Sequence, residues 1–500
     1  MNEMERHVRI KKFDSFTLKT VGYTLLTLAV LMLPSLIYNL VDGHDVLPFL
    51  LPMSAMMVIG LPMVVMTRMP KSINPIFILA DMALMWFISV ICGALPFFLS
   101  GFAPVDAIFE STSGVMTTGA SIIPRVDEWS RGVILWRSIL QWIGGIAIIV
   151  MFLLVLPTIG FGNRALFSNE VSGSDAGNIT LKLKDTGKQF AIVYSIATIL
   201  ILIALVLCGL SFFESFCLSL STISLGGFSP ADNSVSGYSD IIKIVIIVSL
   251  IFGSTNFYLH YKSVMSKKPI YFKSEEFRMM VMLTGVVLLI ALVYLLIEGD
   301  DTPINIIFNT ISATTTASFA ASDYSVYPIF IVALLFIATI VGGSAGSAAG
   351  GLKVSRFLII TKNAYNEINK LLHPNAVYDV KVDGSSVDDR YISITMVMLF
   401  AFIVTMISGT AVFLLFGLPF DVSVLTSISS LTCYGASIGP YGPFGSFAEL
   451  TDGAKLFMCI LMWIGRVEIM SAFILFTPGY WREFRLSMRN MRRKPVRNWR

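Results

Sequence analysis

Ten apolar stretches, each long enough to cross a lipid bilayer, follow one another through this 500-residue chain with hardly a gap. A membrane-spanning helix needs about 20 such residues. Charged residues make up only 14% of the chain, far below the roughly 25% typical of soluble proteins. We therefore predict an all-α protein that crosses the membrane many times. The stretches are residues 18–41, 46–67, 75–100, 132–158, 188–211, 239–261, 277–297, 327–370, 391–417 and 452–477.

Four shorter, semi-polar stretches lie between these spans, at residues 104–123, 213–230, 303–322 and 421–440. Each is too short to cross the bilayer. Non-helical backbone is tolerated at membrane depth only where protein or water surrounds it, as in a re-entrant loop. The chain is therefore predicted to consist of two leading helices and four helix–pore loop–helix repeats around one central ion pore.

The four loops are similar in sequence. Residues 111–122 read STSGVMTTGASI and residues 427–438 read SISSLTCYGASI. Looser copies are SLSTISLGGFSP at 219–230 and ISATTTASFAAS at 311–322. Small residues also line ordinary contacts between membrane helices, but four such segments in the same context favour a pore with four similar walls.

The residues of these loops suit the coordination of a dehydrated K⁺ ion. Rings of backbone carbonyl oxygens, with a Thr or Ser hydroxyl at the inner end, replace the water shell of the ion. Carbonyls that point to one axis from consecutive residues need unusual φ values, which glycine adopts without steric cost. The segments that would supply this chemistry are residues 117–120, 225–228, 316–319 and 433–436.

The distribution of Lys and Arg predicts the orientation. Basic residues cluster at the N-terminus, in alternate connections and in residues 481–500, which hold eight basic residues and one acidic. Residues 298–326 carry neither Lys nor Arg. Because basic connections remain in the cytoplasm, both termini are predicted to be cytoplasmic and all four loops to enter from outside, although Arg125 and Arg131 depart from the pattern. A basic tail beside a span indicates the cytoplasmic membrane surface rather than nucleic-acid binding.

The eighth stretch is interrupted by a glycine-rich segment, residues 342–353, in which five of twelve residues are glycine. Each glycine costs a helix up to about 1 kcal/mol relative to alanine. The segment follows the third loop and is therefore predicted to be a gate below the filter, the alternative being a kink for packing. Lys353 either holds this gate shut by repelling cations or marks the cytoplasmic end.

Arg466 lies inside the last apolar stretch, where a charge is costly and usually functional. Glu468 is two residues away and cannot face it on a helix. We expect Arg466 to bind oxygens or dipoles of the glycine-rich segment and to raise the barrier for cations. The alternative is an arginine that reaches for the membrane surface.

Other functions find little support. The four histidines are in no metal-binding spacing, and no nucleophile elbow, P-loop or dinucleotide fingerprint is present. The five cysteines lie in or beside apolar segments and are expected to be free thiols. A coupled secondary transporter remains the alternative to a channel-like protein, although such folds are usually built from two repeats.

These features together resemble the Trk/Ktr/HKT superfamily of K⁺ transporters, in particular the TrkH-like membrane subunits. The resemblance also includes Trp142-Ile143-Gly144-Gly145 and Gly465-Arg466-Val467-Glu468, and it covers nearly the whole chain. It implies a K⁺ uptake subunit with channel-like permeation, the alternative being a K⁺/H⁺ or K⁺/Na⁺ symporter. The implied filter residues are Thr117, Thr118, Gly119, Leu225, Gly226, Gly227, Ala317, Ser318, Tyr434 and Gly435. The implied gate residues are Gly342, Gly343, Ser344, Gly346, Ser347, Gly350, Gly351, Lys353 and Arg466.

Two filter positions need comment. The family pattern places the second glycine just before a phenylalanine, which favours Gly227 over Gly226. The same pattern makes Ser318 the third member, where TrkH-like proteins usually have glycine. A side chain at positive φ costs about 1 kcal/mol or more. We therefore expect a distorted ring or a coordinating hydroxyl, with appreciable Na⁺ permeation.

The resemblance also implies partners and location. It implies a homodimer, a cytosolic nucleotide-binding regulatory subunit of the TrkA/KtrA type and the bacterial inner membrane. K⁺ would be the transported ion, without an organic cofactor, a transition metal or nucleic acid. The predicted divisions are residues 1–72 (leading helices), 73–160, 161–262, 263–372 and 373–480 (the four pore repeats) and 481–500 (a basic tail).

Overall fold

The computed structural model describes residues 13–14, 16–68, 75–159, 176–298, 301–373, 375–376, 378–467, 469, 472–473, 477–478 and 481–482. The expected basic N-terminal cluster, Glu468 and nearly all of the basic tail lie outside the described residues.

The described chain is almost entirely helical, which confirms the predicted all-α class. Two short strand pairs are the exception: β1 (Phe13–Asp14) with β2 (Thr67–Arg68), parallel, and β3 (Lys381–Val382) with β4 (Ser385–Ser386), antiparallel. The helices are α1 (Phe16–Leu31), α2 (Leu33–Val41), α3 (Leu47–Met66), α4 (Pro75–Leu99), α5 (Pro104–Val115), α6 (Arg131–Ile159), α7 (Ala176–Leu207), α8 (Phe212–Ile223), α9 (Asp240–Ser254), α10 (Phe257–Ser266), α11 (Glu275–Glu298), α12 (Pro303–Thr314), α13 (Ile329–Val341), α14 (Val354–Leu372), α15 (Asp389–Leu415), α16 (Phe420–Thr432) and α17 (Asp452–Arg466).

Seven described helices, or eight if one bent pair counts as a span, are long and apolar enough to cross a membrane. The sixth expected span, residues 239–261, is not one straight helix. It breaks after Ser254, and α10 leaves α9 at an angle of 95°. The Asn256 side chain accepts the N–H of Tyr258 and so starts the new helix. The eighth expected span is interrupted between Val341 and Val354, as predicted.

Four short helices, α5, α8, α12 and α16, occupy the semi-polar stretches. Each packs between the long helix before it and the helix after it. Each also contacts the helix that ends the preceding repeat: α6 meets α8, α9 meets α12, α13 meets α16 and α17 meets α5. The last contact joins the end of the chain to its first repeat. The short helices together with α6, α9, α13 and α17 therefore form a closed ring, and the C-terminal ends of the short helices lead into the four loops.

Candidate functional site

The four loops share one backbone hydrogen bond. In each, the residue just before the predicted filter position donates its N–H to the carbonyl of a buried serine five residues earlier, at 2.8–2.9 Å. This bond closes the turn between helix and loop in the same way in every repeat. The donor–acceptor pairs are Thr118 and Ser113, Gly226 and Ser221, Ala317 and Ser312, and Tyr434 and Ser429.

The loops also share an alternation of backbone angles. The residue two positions before the filter position has a φ between +52° and +57° in every loop. The intervening residue does not have a positive φ, and Gly226 is one of these. The pattern matches the alternation that inward-facing carbonyls require, and it favours Gly227 over Gly226 as the equivalent position. The filter positions themselves have φ of +84° at Gly119, +83° at Gly227, +59° at Ser318 and +94° at Gly435.

The three filter glycines lie so close to the neighbouring loops that none has room for a side chain. A Cβ added to any of them would stand within 2.6 Å of a carbonyl oxygen in another loop, which real Cβ atoms do not approach. These oxygens belong to Gly226 for Gly119 (2.5 Å), Ala317 for Gly227 (2.6 Å) and Thr118 for Gly435 (2.1 Å). The four loops therefore meet at one point.

Ser318 has the one side chain at that meeting point. Its Cβ lies 2.7 Å from the place a Cβ would take on Gly119 and 2.4 Å from the place on Gly227. Its Oγ lies 2.8 Å from the place on Gly435. The ring has room for one side chain, and Ser318 fills that room at a strained φ.

A cavity of about 60 Å³ borders the ring and reaches Gly119, Gly227 and Ser318. Its walls carry one acidic side chain, Asp232, and one basic side chain, Arg137. Asp232 also accepts the N–H of Val126. This cavity lies directly beside the filter positions of three loops.

A buried ion pair supports the first loop. Arg137 on α6 binds Glu110 on α5, with 2.6 Å between Nε and Oε1, and both side chains are at most 3% exposed. Glu110 accepts the N–H of Ile122 at 3.0 Å, and Arg137 donates to Ser121 Oγ at 2.9 Å. The pair therefore fixes the chain just beyond Gly119. The pair is not evident from the sequence, because the two charges are 27 residues apart and only the packing of α5 on α6 joins them.

A second feature missed from sequence is a glycine at the same place in each repeat. The helix after each loop has glycine as its fourteenth residue, except that α13 ends one residue earlier and glycine follows it. The available signal was a four-residue pattern, WIGG, IFGS, IVGG and WIGR, around Gly144, Gly253, Gly342 and Gly465. In three repeats this glycine faces the C-terminal end of the short helix. An added Cβ would lie 1.9–2.9 Å from a carbonyl oxygen there, that of Val115 for Gly144, Ile223 for Gly253 and Leu431 for Gly465.

The glycine-rich segment, residues 342–353, is buried between the repeats rather than helical. Its backbone binds the bend after α9: Ser344 N–H donates to Ser254 O at 2.9 Å. It also reaches the third loop, where Gly350 N–H donates to Thr316 Oγ1 at 2.7 Å. Glu276 at the start of α11 accepts the N–H of Ala345 at 2.6 Å. The segment thus contacts the third loop two residues before Ser318.

Arg466 binds that segment, as expected from the sequence. It donates through Nη1 to Ala348 O at 2.9 Å and through Nη2 to Gly144 O at 3.1 Å, and it is only 2% exposed. It therefore bridges the glycine-rich segment and α6. Position 466 corresponds to Gly145, Ser254 and Gly343 in the other repeats, so a long cation stands where small residues stand elsewhere.

Lys353 is also buried and donates to Ala349 O at 2.6 Å. Together with Arg356 and Arg466 it lines a cavity of about 30 Å³ below the segment. Lys353 is therefore held by the glycine-rich segment itself and is not exposed.

Among the described residues, no group of three or more His, Cys, Asp or Glu side chains has an arrangement that would hold a metal ion. All five cysteines are free thiols, as predicted.

Comparisons with known proteins show the family to which this chain belongs. A family model described as "TrkH: Cation transport protein" matches residues 95–482. The "Trk system potassium uptake protein TrkH" of Halomonas elongata is 32% identical over 420 residues, covering 80% of this chain and 85% of that protein. The protein of the same name from Vibrio parahaemolyticus is 32% identical over 418 residues, covering 80% and 84%.

A solved structure is similar over nearly its whole length. The "Crystal Structure of the Potassium Transporter TrkH from Vibrio parahaemolyticus" matches with a TM-score of 0.84 and 28% identity, over 93% of this chain and 99% of that chain. The family is one of transport proteins, not enzymes. The chain is a multi-pass membrane protein that belongs to the TrkH family of cation transport proteins.

Proposed function

We propose that this protein is the K⁺-conducting subunit of a Trk-type uptake system and that K⁺ passes through the ring at which the four loops meet. The observation that carries the proposal is the shared backbone of the loops, with the same hydrogen bond and the same pair of positive φ values in each. The choice of K⁺ as the transported ion follows from the relatives, which are named as potassium uptake proteins.

The ring has the chemistry that K⁺ requires. Backbone oxygens of the ten filter residues predicted from sequence would replace the water shell of the ion, and Thr117 and Thr118 would add hydroxyls. The short helices point their C-terminal ends at the loops, and this end of a helix carries a partial negative charge that favours a cation. Ser318 places a hydroxyl among the glycines, and we propose that this weakens discrimination against Na⁺.

The glycine-rich segment and Arg466 would form the gate. The segment is held by Thr316 on its outer side and by Arg466 through Ala348. Ion flow would require the segment to leave these partners. A buried arginine beneath the ring would also repel cations while the gate is shut.

Permeation is proposed to be channel-like, because four similar loops around one ring are the arrangement of an ion filter. A K⁺/H⁺ or K⁺/Na⁺ symporter is the second candidate, favoured only by the bend between α9 and α10 and by the interruption between α13 and α14. Unitary currents in a planar bilayer would support the channel, whereas uptake that requires a gradient of H⁺ or Na⁺ would support the symporter.

The proposed function also implies an assembly with other subunits. The relatives are named as parts of a Trk system. We propose a homodimer in the bacterial inner membrane, with both termini in the cytoplasm and a cytosolic nucleotide-binding subunit that controls the gate. The division into four pore repeats, at residues 73–160, 161–262, 263–372 and 373–480, is proposed in the same way.

The proposal is tested by removing the arginine of the gate. Arg466→Ala should raise K⁺ flux into reconstituted vesicles at least several-fold, because the segment loses its bond from Arg466 to Ala348. Lys455→Met is the matched control, since Lys455 is a buried cation of the same helix that binds Asp106 at 2.7 Å, away from the gate. Normal membrane insertion with unchanged flux in Arg466→Ala would contradict the gate, and absence of K⁺ flux in the unsubstituted protein would contradict the function.

A further inference from the structure

In the first, third and fourth loops, a polar side chain of the preceding short helix binds the loop. The second loop lacks this support. Nine residues before the filter position stand Glu110, Leu218, Asn309 and Thr426. The three polar ones bind their own loops, Glu110 through Ile122 N–H, Asn309 through Ala321 N–H and Thr426 through Ser437 Oγ. Leu218 has no polar group. Moreover, the residue that corresponds to Ile122 and Ala321 is Pro230, which has no N–H.

Gln141, from the preceding repeat, supports the second loop instead. It lies on α6, one turn after Arg137, and is fully buried. Its Nε2 donates to Gly226 O at 2.6 Å, and its Oε1 accepts the N–H of Phe228 at 3.2 Å. One amide therefore holds the backbone on both sides of Gly227.

Gln141 also explains why this loop has two adjacent glycines. Gly227 needs to be glycine because its φ is +83°, but Gly226 has no positive φ. What a side chain at Gly226 would meet is Gln141 itself, whose Cδ lies 2.2 Å from the place of an added Cβ. Gly226 is small because the amide occupies that space.

The amide is peculiar to this repeat. The residues that stand three positions before the repeated glycine are Gln141, Leu250, Thr339 and Met462. Neither Leu250 nor Met462 has a group that forms two hydrogen bonds, whereas Thr339 has only a hydroxyl, which donates to Phe336 O on its own helix and accepts from Thr432 Oγ1 of α16 at 3.4 Å. One wall of the ring is thus fixed by a neighbouring repeat.

We propose that Gln141 is a positioning residue that sets the ion selectivity of the ring by fixing the carbonyl oxygen of Gly226. This inference rests on the proposed function. An oxygen that accepts a hydrogen bond from an amide N–H moves less freely toward a small cation than one without such a bond, and selectivity depends on the position and freedom of these oxygens.

The test is the permeability ratio of Na⁺ to K⁺, from reversal potentials of the purified protein in planar bilayers. Gln141→Met keeps the length of the side chain but loses both hydrogen bonds. We expect the ratio to rise about fivefold, the factor that corresponds to one ordinary hydrogen bond. Leu250→Met, at the same position of the next repeat, is the matched control and should leave the ratio unchanged.

Gln141→Glu provides a readout that general destabilisation would not produce. A protonated carboxyl group donates to Gly226 O and accepts from Phe228 N–H as the amide does, whereas a carboxylate does not donate. The ratio in this variant should therefore return toward that of the unsubstituted protein as the pH is lowered, while Gln141→Met shows no such return. If Gln141→Met fails to reach the membrane, the pH dependence of the ratio in Gln141→Glu alone tests the role of Gln141.

A further pair tests the contact itself. Gly226→Ala should abolish most conduction because of the clash with Gln141, and Gln141→Ala in the same chain should restore part of it. A K⁺-conducting protein in which Gln141→Met leaves the ratio unchanged, or in which the ratio of Gln141→Glu stays raised as the pH is lowered, would overturn the inference and leave the proposed function standing. An unsubstituted protein that conducts no K⁺ would instead refute the proposed function.

Discussion

The first and third loops adopt the same backbone but differ in how they are filled and supported. Gly119 and Ser318 both have positive φ at corresponding places. Behind Gly119 stands the fully buried pair of Glu110 and Arg137. Behind Ser318 stands the neutral Asn309, which donates to Ser322 Oγ at 2.9 Å.

The difference indicates which constraints belong to the ring and which to its surroundings. The hydrogen bonds that shape the loops come from backbone and recur four times, so they tolerate different side chains behind them. The space inside the ring does not recur: Ser318 fills it, and carbonyl oxygens of the neighbouring loops leave the other three positions none to spare.

The largest effect is expected from adding a second serine to the ring, in the first loop. Gly119→Ser places two side chains in the room of one, with its Cβ 2.5 Å from Gly226 O and 2.7 Å from Ser318 Oγ. Overpacking of this kind costs about 1–3 kcal/mol, and positive φ adds about 1 kcal/mol. We expect K⁺ flux in vesicles to fall at least tenfold.

The double variant Gly119→Ser with Ser318→Gly is its control, since the ring then has one side chain again. We expect partial recovery of flux, because the contact of the new side chain with Gly226 O remains. If the flux of the double variant is no higher than that of Gly119→Ser alone, Ser318 does not occupy the shared space.

The supports behind the two loops should differ in their contribution to stability. Glu110→Gln leaves Arg137 buried without its charge partner, which costs about 3–5 kcal/mol. Asn309→Leu, which copies Leu218 of the second loop, removes neutral hydrogen bonds at about 1–3 kcal/mol. Thermal unfolding of the two purified variants in detergent should place the melting temperature of Glu110→Gln clearly lower. Equal melting temperatures would mean that the ion pair contributes no more than the amide.

Much of this comparison was accessible from sequence. The four loops follow from local features, a short helix that ends in a small polar turn, and the interruption at residues 342–353 follows from its glycines. The expected bond between Arg466 and this segment is found at Ala348. The roles of these residues in ion passage stay predictions.

What sequence did not provide depends on which helices become neighbours. Gln141 and Gly226 are 85 residues apart, and only the contact of α6 with α8 joins them. The bend after Ser254 was hidden because both halves are apolar, so the hydropathy of residues 239–261 is that of one span. The repeated glycine was visible in the sequence as WIGG and WIGR. The reason for it, a carbonyl oxygen at the end of the short helix that leaves no room for a side chain, is seen only in the structure.

Ser318→Gly should sharpen selectivity with little change in stability. The substitution turns the ring into four glycines and removes about 1 kcal/mol of backbone strain. We expect the Na⁺ to K⁺ permeability ratio to fall a few-fold, measured by reversal potentials in mixed solutions. Strict K⁺ selectivity in the unsubstituted protein, unaffected by the substitution, would contradict the role given to this serine.

The smallest effect concerns acid and the support of the third loop. Its support continues from Asn309 to Asp301 before α12, whose carboxylate accepts hydrogen bonds from Ser322, Tyr327 and Asn305. Partial burial raises the pKa of Asp301, but these hydrogen bonds outweigh it and hold the pKa below its ordinary value. The stabilisation is therefore present above the ordinary pKa of an aspartate and is lost as the pH falls through the lowered pKa.

Asp301→Asn should remove this acid-dependent part. At neutral pH the variant should melt a few degrees lower than the unsubstituted protein, because the hydrogen bonds to a carboxylate are the stronger ones. As the pH falls below about 4, near the ordinary pKa of an aspartate, the two melting temperatures should converge, since the unsubstituted carboxyl becomes neutral as well. Asp232→Asn, at the cavity outside the ring, is the control for a general loss of negative charge. A difference in melting temperature that stays constant down to the lowest pH would mean that the charge of the Asp301 carboxylate does not stabilise the third loop.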